Sequence, residues 1–298
     1  ENREGEGAIL NNISQIYKAR GEYEKALELL GQSLKMRQEI GDQEGEGVTL
    51  NNISQVYKAH GEYEKALDLL QQSLKIRQKI GDQKGEGVAL NNIGQIYQAR
   101  GEYEKALDLL QQSLKIRQKT GDREGEVATL NNIGGIYRMR GEYEKVLELL
   151  EQSLKINQEI GNREVEGKIL NNIGQIYDAS GEYEKAMQLL EQSLKISQEI
   201  GNRAGEVITL HNMACIDYEQ DRIEAFFEKE LKAWQLANEI QNAHGILSVG
   251  HYLGAVLCMF KETELGLPIL QQAYEIAQQN DLPQAEEIAA LIKKYAKP

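Results

Sequence analysis

Features of several protein classes are scarce or missing in this chain of 298 residues. It holds two cysteines, Cys215 and Cys258, and two cysteines do not make a disulfide framework. It holds no run of about 18 apolar residues, so it has no candidate membrane span and we expect no membrane partner. No signal peptide is visible at its start, and the expected location is therefore cytoplasmic.

Basic residues are also in short supply. The chain has 34 lysines and arginines against 47 aspartates and glutamates, which gives a formal net charge of −13. Binding to phosphate backbones needs clustered lysine and arginine. We therefore expect no nucleic-acid partner.

The chain is dominated instead by a repeated block of 40 residues. The block NNIGQIYQARGEYEKALDLLQQSLKIRQKTGDREGEVATL begins at Asn91 and returns with few changes at Asn11, Asn51, Asn131 and Asn171. A fixed period of roughly 20–50 residues indicates one supersecondary unit stacked many times. Aligned on the glycines, seven repeats start near positions 1, 41, 81, 121, 161, 201 and 241.

Each repeat is predicted to form two antiparallel helices. In the third repeat, Arg100-Gly101-Glu102 ends the first helix, and a second helix runs from Tyr103 to Gly121, a residue suited to a left-handed turn. Asp122 is placed to cap the helix that follows. No window alternates as a strand would, so the predicted class is all-α. The second helix is expected to bury Ala106, Leu109, Leu110, Ser113, Leu114 and Ile116.

Six residues of this repeat carry a resemblance to a known family. Leu90, Ile93, Gly94 and Tyr97, followed by Ala106 and Leu110, occupy the slots of the tetratricopeptide pattern W-x2-L-G-x2-Y…A-x3-F. The period of 40 resembles that of kinesin light chains, of spindle-orientation scaffolds and of the sensory arrays of bacterial regulators. The chain departs from the pattern of about 34 residues by its longer period and by lacking the helix-ending proline. The resemblance implies a right-handed α-solenoid whose concave face binds peptides.

Motifs that would indicate catalysis are missing. The chain has no phosphate-binding loop of the form GxxxxGK[ST], no HExxH, no GxSxG and no CxxC. Its carboxylates, such as Glu22, Glu24 and Glu28, recur in five repeats and therefore indicate a solvated outer face. We expect no enzymatic activity and no cofactor.

The face of the first helix opposite the core is the expected binding surface. At 100° per residue, Asn91, Gln95 and Gln98 lie off the core face, on the side that lines the groove in this family. An amide both donates and accepts, so a ladder of amides suits the backbone of an extended peptide. Alternatively, Asn91 and Asn92 bond neighbouring repeats, and Asn92 lies nearer the seam. The predicted peptide-binding residues are Asn11, Gln15, Lys18, Asn51, Gln55, Lys58, Asn91, Gln95, Gln98, Asn131, Arg138, Asn171, Gln175, Asp178, His211 and His251.

Charge on this predicted groove changes along the array. The early repeats place Lys18, Arg20, Lys58, Arg100, Arg138 and Arg140 on the inner face and its rim. The later repeats place Asp178, Asp217 and Glu219 there, followed by Met259 and Phe260. We expect acidic residues of a partner against repeats one to four, and basic or apolar residues against repeats five to seven.

One cluster of metal-ligand residue types occurs where the repeat decays. His211 and Cys215 are four residues apart, and His251 and Cys258 follow one repeat later. Cysteine and histidine are the preferred ligands of structural zinc, so these four residues are a candidate zinc site. The alternative reading, which we favour, is a buried cysteine acting as a small apolar residue and a histidine in the groove. No metal is predicted.

Two function classes fit these observations. In the first, the array is a scaffold or receptor that binds an extended peptide or a helix of a partner protein. In the second, it is the sensory or autoinhibitory segment of a larger regulator whose effector domain lies elsewhere in the gene product.

The two ends of the array are expected to differ. Positions 1–280 form the predicted repeat array, and positions 281–298 hold a capping helix from Gln284 to Ala296. The first helix has no such cover and would leave Ile9, Ile13 and Ile16 partly exposed. We therefore expect either a fragment of a longer chain or end-to-end self-association through the uncapped first repeat.

Overall fold

A computed structural model describes residues 3–296 of the chain and shows helices throughout, with no strand in that range. The predicted all-α repeat fold is confirmed. The helices are α1 (Arg3–Ala19), α2 (Tyr23–Ile40), α3 (Gln43–Ala59), α4 (Tyr63–Ile80), α5 (Gln83–Ala99), α6 (Tyr103–Thr120), α7 (Arg123–Met139), α8 (Tyr143–Ile160), α9 (Arg163–Ala179), α10 (Tyr183–Glu199), α11 (Arg203–Glu219), α12 (Ile223–Glu239), α13 (Ala243–Met259), α14 (Thr263–Gln279) and α15 (Gln284–Tyr295).

The ends of the helices follow from the glycines and the acids or amides beside them. Gly121 ends α6 with φ of 67°, a left-handed conformation that glycine adopts without a steric penalty. The next residue, Asp122, begins α7 by accepting a hydrogen bond from the backbone N–H of Gly125 at 3.1 Å. Asn202 does the same for α11, accepting from Gly205 at 3.0 Å. The predicted caps are confirmed.

The helices pack into two compact units, Glu1–Ile156 (unit 1) and Asn157–Pro298 (unit 2), and the boundary lies inside α8. In unit 1 the first helices of three hairpins, α1, α3 and α5, each pack against the second helix of the same hairpin and against the first helix of the next hairpin, as α5 does with α6 and α7. The same arrangement holds in unit 2, where α11 contacts α12 and α13. These first helices are therefore covered on more than one side.

The core of each hairpin is a short layer of aliphatic side chains. Around α6, the fully buried Ala106 and Leu110 pack with Ile133 and Ile136 of α7. The predicted inner face needs one correction, because Leu107 and Arg117 are buried whereas three residues expected there are half-buried. Contact with the following hairpin turns the buried stripe of α6 toward these positions. The three half-buried residues are Leu109, Leu114 and Ile116.

Helix α15 packs on the last hairpin of unit 2. Its Ile288 is fully buried in a cluster with Leu270 and Ala273 of α14. The division into an array over positions 1–280 and a capping segment over 281–298 stays a prediction. At the other end of the sequence, Ile9, Ile13 and Ile16 are exposed, as expected, but self-association through them stays a prediction. No helix within residues 3–296 is both long enough and apolar enough to cross a membrane.

Candidate protein-binding surface

Four of the asparagines that begin the 40-residue blocks, Asn11, Asn51, Asn91 and Asn171, are part of the seam between hairpins. In unit 1, Asn11 is buried, and its amide nitrogen donates to the hydroxyls of Thr49 at 2.9 Å and Ser33 at 3.2 Å. Thr49 belongs to the following hairpin, so the bond joins two repeats. The side chain thus stabilises the stack of hairpins.

A second set of bonds links neighbouring asparagine pairs. In four hairpins the asparagine at the second position of the block donates its amide to the first asparagine of the preceding hairpin, as Asn132 does to Asn91 at 2.9 Å. The other bonds of this kind run from Asn52 to Asn11 at 3.2 Å, from Asn92 to Asn51 at 2.7 Å and, in unit 2, from Asn212 to Asn171 at 3.0 Å.

These contacts correct the expectation that the whole asparagine column presents free amides to a ligand. Asn11, Asn91 and Asn171 are buried and already bonded to the next hairpin, and their role as ligand contacts stays a prediction. These asparagines are buried because the first helix of a hairpin contacts two helices. One is the second helix of the same hairpin, and the other is the first helix of the next hairpin. Asn51 is half-buried and Asn131 is exposed, so their role as ligand contacts stays a prediction.

The predicted glutamines and lysines of unit 1 lie closer to solvent. Gln15, Gln55, Gln95 and Gln98 are half-buried. Lys58 is also half-buried, and its Nζ donates to Oε1 of Gln95. Burial lowers the pKa of Lys58, and the nearby charge of Lys18 lowers it further. Lys18 and Lys58 therefore produce a local positive potential. Arg138, two hairpins further along the chain, is exposed.

Part of the predicted charge on the groove is already neutralised. Arg100 pairs with Glu64 at 2.6 Å and with Glu102 at 2.9 Å. The Arg140 guanidinium lies 2.7 Å from Glu104. These arginines belong to ion pairs at the ends of unit 1 hairpins, so they contribute less to the field over the groove than their charges suggest.

The acidic residues of unit 2 that were predicted for the groove differ in burial and in ion pairing. Asp217 is buried and accepts from Arg222 at 2.8 Å and from Lys229 at 2.6 Å, so it is a structural ion-pair residue. Asp178 is half-buried, and its pKa is raised by burial and by the charge of Glu219. Gln175 is exposed on the same helix.

The four candidate zinc ligands do not converge. The sulfur of Cys215 lies 3.9 Å from Nε2 of His211, whereas His251 is 3.8 Å from the carboxylate of Glu287 on α15. Cys258 is buried in the apolar cluster of α14 and α15. Among residues 3–296 no group of three or more His, Cys, Asp or Glu side chains is arranged to hold a metal ion.

A buried arginine at the seam between hairpins was not expected from the sequence. Arg77 lies at the end of α4 with 8% of its side chain exposed, and its guanidinium donates to Asp82 at 2.8 Å. Gly85 provides the space, since a Cβ atom there would lie 1.5 Å from the guanidinium nitrogen. The same three residue types recur at Arg37, Asp42 and Gly45 and at Arg117, Asp122 and Gly125. The recurrence of these three types was the signal in the sequence.

Unit 2 has a cavity of about 530 Å³ at the equivalent seam between α9, α10 and α11. The position of Arg77 is occupied here by Ser197, and that of Asp82 by Asn202, while Gly205 is kept. The space that arginine fills in unit 1 is therefore open. The cavity is lined by Glu164, Gly167, Lys168, Asn171, Asn172, Gln175, Ser193, Ile196, Ser197, Ile200, Asn202, Ala204, Gly205, Ile208 and Thr209.

Comparison with known families agrees with this geometry. The model of the tetratricopeptide repeat matches residues 5–79, 86–159 and 161–235. The chain belongs to the tetratricopeptide repeat family. Repeats of this family generally mediate protein–protein interaction and typically serve as non-catalytic scaffolds. No curated protein sequence gives a significant match.

Solved structures share the fold at low sequence identity. A kinesin light chain-like protein of nearly identical TPR-like repeats from Podosopora anserina is 24% identical over 65% of this chain and 95% of its own, with a TM-score of 0.52. A signal transduction ATPase with a tetratricopeptide repeat sensor from Pyrococcus horikoshii has a TM-score of 0.74 and 20% identity, over 97% of this chain and 44% of that protein. The quorum sensor NprR of B. thuringiensis, in its apo form, has a TM-score of 0.54 and 14% identity, over 96% of this chain and 87% of its own.

Proposed function

We propose that this chain is a non-catalytic interaction module that binds an extended segment of a partner protein, and that unit 2 holds an anchor site for one side chain of that segment. The observation that carries the proposal is the cavity of about 530 Å³ beside the first helices α9 and α11. Two residues of the predicted groove, Asn171 and Gln175, line it.

The walls of the cavity indicate an apolar anchor. Ile196, Ile200 and Ile208 supply aliphatic surface, and Ile200 and Ile208 are each about 40% exposed. The hydroxyl of Thr209 already donates to the carbonyl of Gly205 at 2.9 Å. Burial of exposed aliphatic surface favours an apolar ligand, at about 25 cal/mol per Å².

The charges of the site do not favour an arginine anchor, because the carboxylate among its lining residues, Glu164, is already paired with Lys168. In unit 1, the guanidinium that fills the equivalent space is paired with a carboxylate, as Arg77 is with Asp82. In unit 2 the carboxylate is replaced by the neutral Asn202. A guanidinium entering here would lose water without gaining a charged partner at that position, which is unfavourable. The anchor is therefore an uncharged leucine- or methionine-sized side chain.

The mouth of the cavity offers groups for the backbone of the segment. Gln175 and Asn172 are exposed amides on α9, and each can donate and accept. They flank the apolar walls, so a peptide can bond to them while one side chain enters the cavity. This arrangement replaces the buried asparagine column as the amide contact of unit 2.

The test fills the cavity of unit 2 with the buried arginine–aspartate pair that is found in unit 1. A library of displayed 12-residue peptides is selected on the full chain, and the enriched peptides are measured by fluorescence anisotropy. We expect an enriched Leu or Met, and at least a tenfold loss of affinity, about 1.4 kcal/mol, in the Ser197→Arg/Asn202→Asp variant. Gly205 leaves room for the new guanidinium, so folding should be retained.

A matched control separates closure of the cavity from added charge. Gln192→Arg with Gln198→Asp introduces the same two charges at exposed positions of α10. It should bind the selected peptides as the original chain does. Equal affinity of all three proteins, or selection of peptides without an apolar residue, would contradict the anchor site.

One comparison favours the second function class, a sensory segment of a larger regulator. The Pyrococcus horikoshii protein is described as having a tetratricopeptide repeat sensor, and this chain aligns over 97% of its length with 44% of that protein. The sequence of the gene from which this chain derives would discriminate between the sensor and the scaffold functions. An adjoining nucleotide-binding or DNA-binding domain supports the sensor function, and its absence from the full reading frame supports the scaffold.

A further inference from the structure

Three departures from the repeat meet in the hairpin of α11 and α12. His211 stands where the earlier hairpins have asparagine, and Cys215 stands where most have glutamine. Glu230 stands at the position of Leu110 and Leu190, both of which are fully buried. Each change introduces a chemically reactive or titratable group, and they occur within one hairpin.

The three side chains form a chain of contacts. Oε1 of Glu230 lies 2.7 Å from Nδ1 of His211. The other ring nitrogen, Nε2, lies 3.9 Å from the sulfur of Cys215. A carboxylate that orients an imidazole, whose second nitrogen faces a thiol, is the arrangement that activates cysteine as a nucleophile.

The three side chains differ in how deeply they are buried. Glu230 is fully buried, and its Oε2 has no hydrogen-bond partner among residues 3–296. A buried carboxylate with an unsatisfied oxygen is costly, and the repeat offers leucine as the alternative. His211 keeps 20% of its side chain exposed, and Cys215 is half-buried. The carboxylate is thus fully buried, whereas His211 and Cys215 are only partly buried.

The electrostatic surroundings keep the imidazole charged. Burial alone would lower the pKa of His211, but its contacts with Cys215 and Glu230 outweigh burial and raise the pKa to about 10. Burial raises the pKa of Tyr252, whose ring on α13 lies edge-on to the imidazole at 5.9 Å, so its phenol is neutral at pH 7. Tyr218 and Glu219 on α11 are the other titratable groups near Tyr252, and Asp178 on α9 faces Glu219.

We propose that Cys215 is a reactive thiol, with its proton held by His211 and the imidazole positioned by Glu230, and that it is the site of oxidation by peroxides. The sulfur attacks one oxygen of hydrogen peroxide, so that an S–O bond forms and the O–O bond breaks. Sulfur loses two electrons and the peroxide gains them. The leaving hydroxide takes the proton from His211 and departs as water, and Cys215 becomes a sulfenic acid.

The chain contains its own comparison thiol. Cys258 is 3% exposed and packs among the apolar residues of α14 and α15, and burial raises its pKa. A buried thiol of this kind is expected to be inert. Cys258→Ser therefore isolates the reaction of Cys215, and Cys215→Ser isolates that of Cys258.

The experiment follows the reaction of variants of the 298-residue chain with hydrogen peroxide from pH 5 to pH 9. Dimedone trapping and mass spectrometry locate the sulfenic acid. We expect the adduct on Cys215 only. At pH 6 the Cys258→Ser chain should react on the order of tenfold faster than free glutathione, because an ordinary thiol with a pKa of about 8.5 is almost wholly protonated there.

Two further variants test the roles of the neighbours. His211→Asn, which restores the residue of the other hairpins, should abolish the excess rate at pH 6 and give the pH profile of an ordinary thiol. Glu230→Gln keeps a hydrogen-bond acceptor and should lower the rate by a smaller factor. The proposal is overturned if Cys215 reacts no faster than glutathione at pH 6, or if His211→Asn leaves the pH profile unchanged while its circular dichroism spectrum is that of the original chain.

Discussion

Unit 1 and unit 2 fill the same seam of the repeat in different ways. In unit 1 an arginine is buried against an aspartate that also caps the next helix, as in the pair of Arg77 and Asp82. At three seams of unit 2 the arginine is lost, and at each of these three the capping aspartate becomes asparagine. The unit 2 residues at these two positions are Asn157 with Asn162, Ser197 with Asn202, and Ala237 with Asn242.

The joint change shows that the aspartate has two tasks. Asparagine still accepts the bond from the backbone that begins the helix, as Asn202 does from Gly205. What it no longer provides is the charge that a buried guanidinium requires. The near-identical repeats of unit 1 thus keep a structural ion pair, whereas unit 2 has exchanged it for a cavity at one seam.

The two units also differ at the left-handed turns between helices. In unit 1 these positions are glycines, such as Gly101 with φ of 75°. In unit 2 the last four are Asp221, Gln241, Lys261 and Asp281, with φ between 52° and 68°. Residues other than glycine are strained in this region. Unit 2 therefore tolerates local strain that unit 1 avoids.

The largest expected effect comes from exchanging Leu110 and Glu230 between the units. Leu110→Glu places a buried carboxylate beside apolar side chains without a histidine, and should destabilise the chain by about 3–5 kcal/mol. The reverse change, Glu230→Leu with His211→Asn, removes a buried ionic pair and should stabilise by about 1–4 kcal/mol. Urea unfolding followed by circular dichroism measures both.

The pH dependence of the unfolding free energy provides a check on the Glu230→Leu/His211→Asn variant. The pKa of His211 is about 10 in the folded chain and about 6.5 when unfolded, so its stabilising contribution is complete below pH 6.5 and is lost as the pH rises to 10. The stability advantage of Glu230→Leu/His211→Asn should therefore grow between pH 7 and pH 10. An advantage that stays constant over this range would contradict the ion pair.

The second prediction contrasts two asparagines that the repeat makes equivalent. Asn91→Ala removes the acceptor of Asn132 and Thr129 at a buried seam, and should cost about 1–3 kcal/mol. Asn131→Ala changes an exposed side chain and should stay within about 0.5 kcal/mol. Thermal melting of the two variants decides this, and equal midpoints would show that the seam bonds contribute nothing.

The hairpins could be predicted from the sequence, but the burial of these asparagines could not. Periodicity and glycine positions were enough for the hairpins, because each helix end depends on local residues such as Gly121 and Asp122. The burial of Asn91 depends on the next hairpin, which a helical wheel of one helix does not include. The contact of His211 with Glu230 joins two helices, and its only signal was a glutamate at a position where other hairpins have leucine.

The third prediction measures the ion pair of unit 1 by a double-mutant cycle. Arg77→Ser leaves a carboxylate that still caps α5, and Asp82→Asn leaves a buried guanidinium without its partner. The double variant, which copies the unit 2 residues, should be less damaged than the sum of the singles, with a coupling of about 1 kcal/mol. Additive midpoints in urea would indicate that the pair is not coupled.

The fourth prediction exchanges the turn residues. Lys261→Gly should relieve the left-handed strain and stabilise unit 2 by roughly 0.5–1 kcal/mol. Gly101→Lys should destabilise unit 1 by a similar or slightly larger amount. The core crowds neither position, since a Cβ at Gly101 meets no atom within 4 Å and Lys261 is exposed. A melting point that moves the same way in both variants would argue against strain as the cause.

The smallest effect is expected from the charged residues of the predicted groove in each unit. These charges should change the rate at which a peptide associates. Lys18 and Lys58 repel each other in unit 1, whereas Glu219 raises the pKa of Asp178 in unit 2, so the local potentials have opposite signs. An acidic peptide should associate a few-fold more slowly after Lys58→Glu with Arg138→Glu, and a basic peptide after Asp178→Lys with Glu219→Lys.

Stopped-flow anisotropy at low salt measures these rates, with each pair of substitutions serving as the control for the other peptide. Both differences should fade near 0.15 M salt, where the screening length is about 8 Å. Because the groups are at least partly exposed, affinity should change less than the association rate. Equal association rates at low salt for all variants would remove the charge difference between the units and leave the cavity of unit 2 and the exposed amides as the recognition elements.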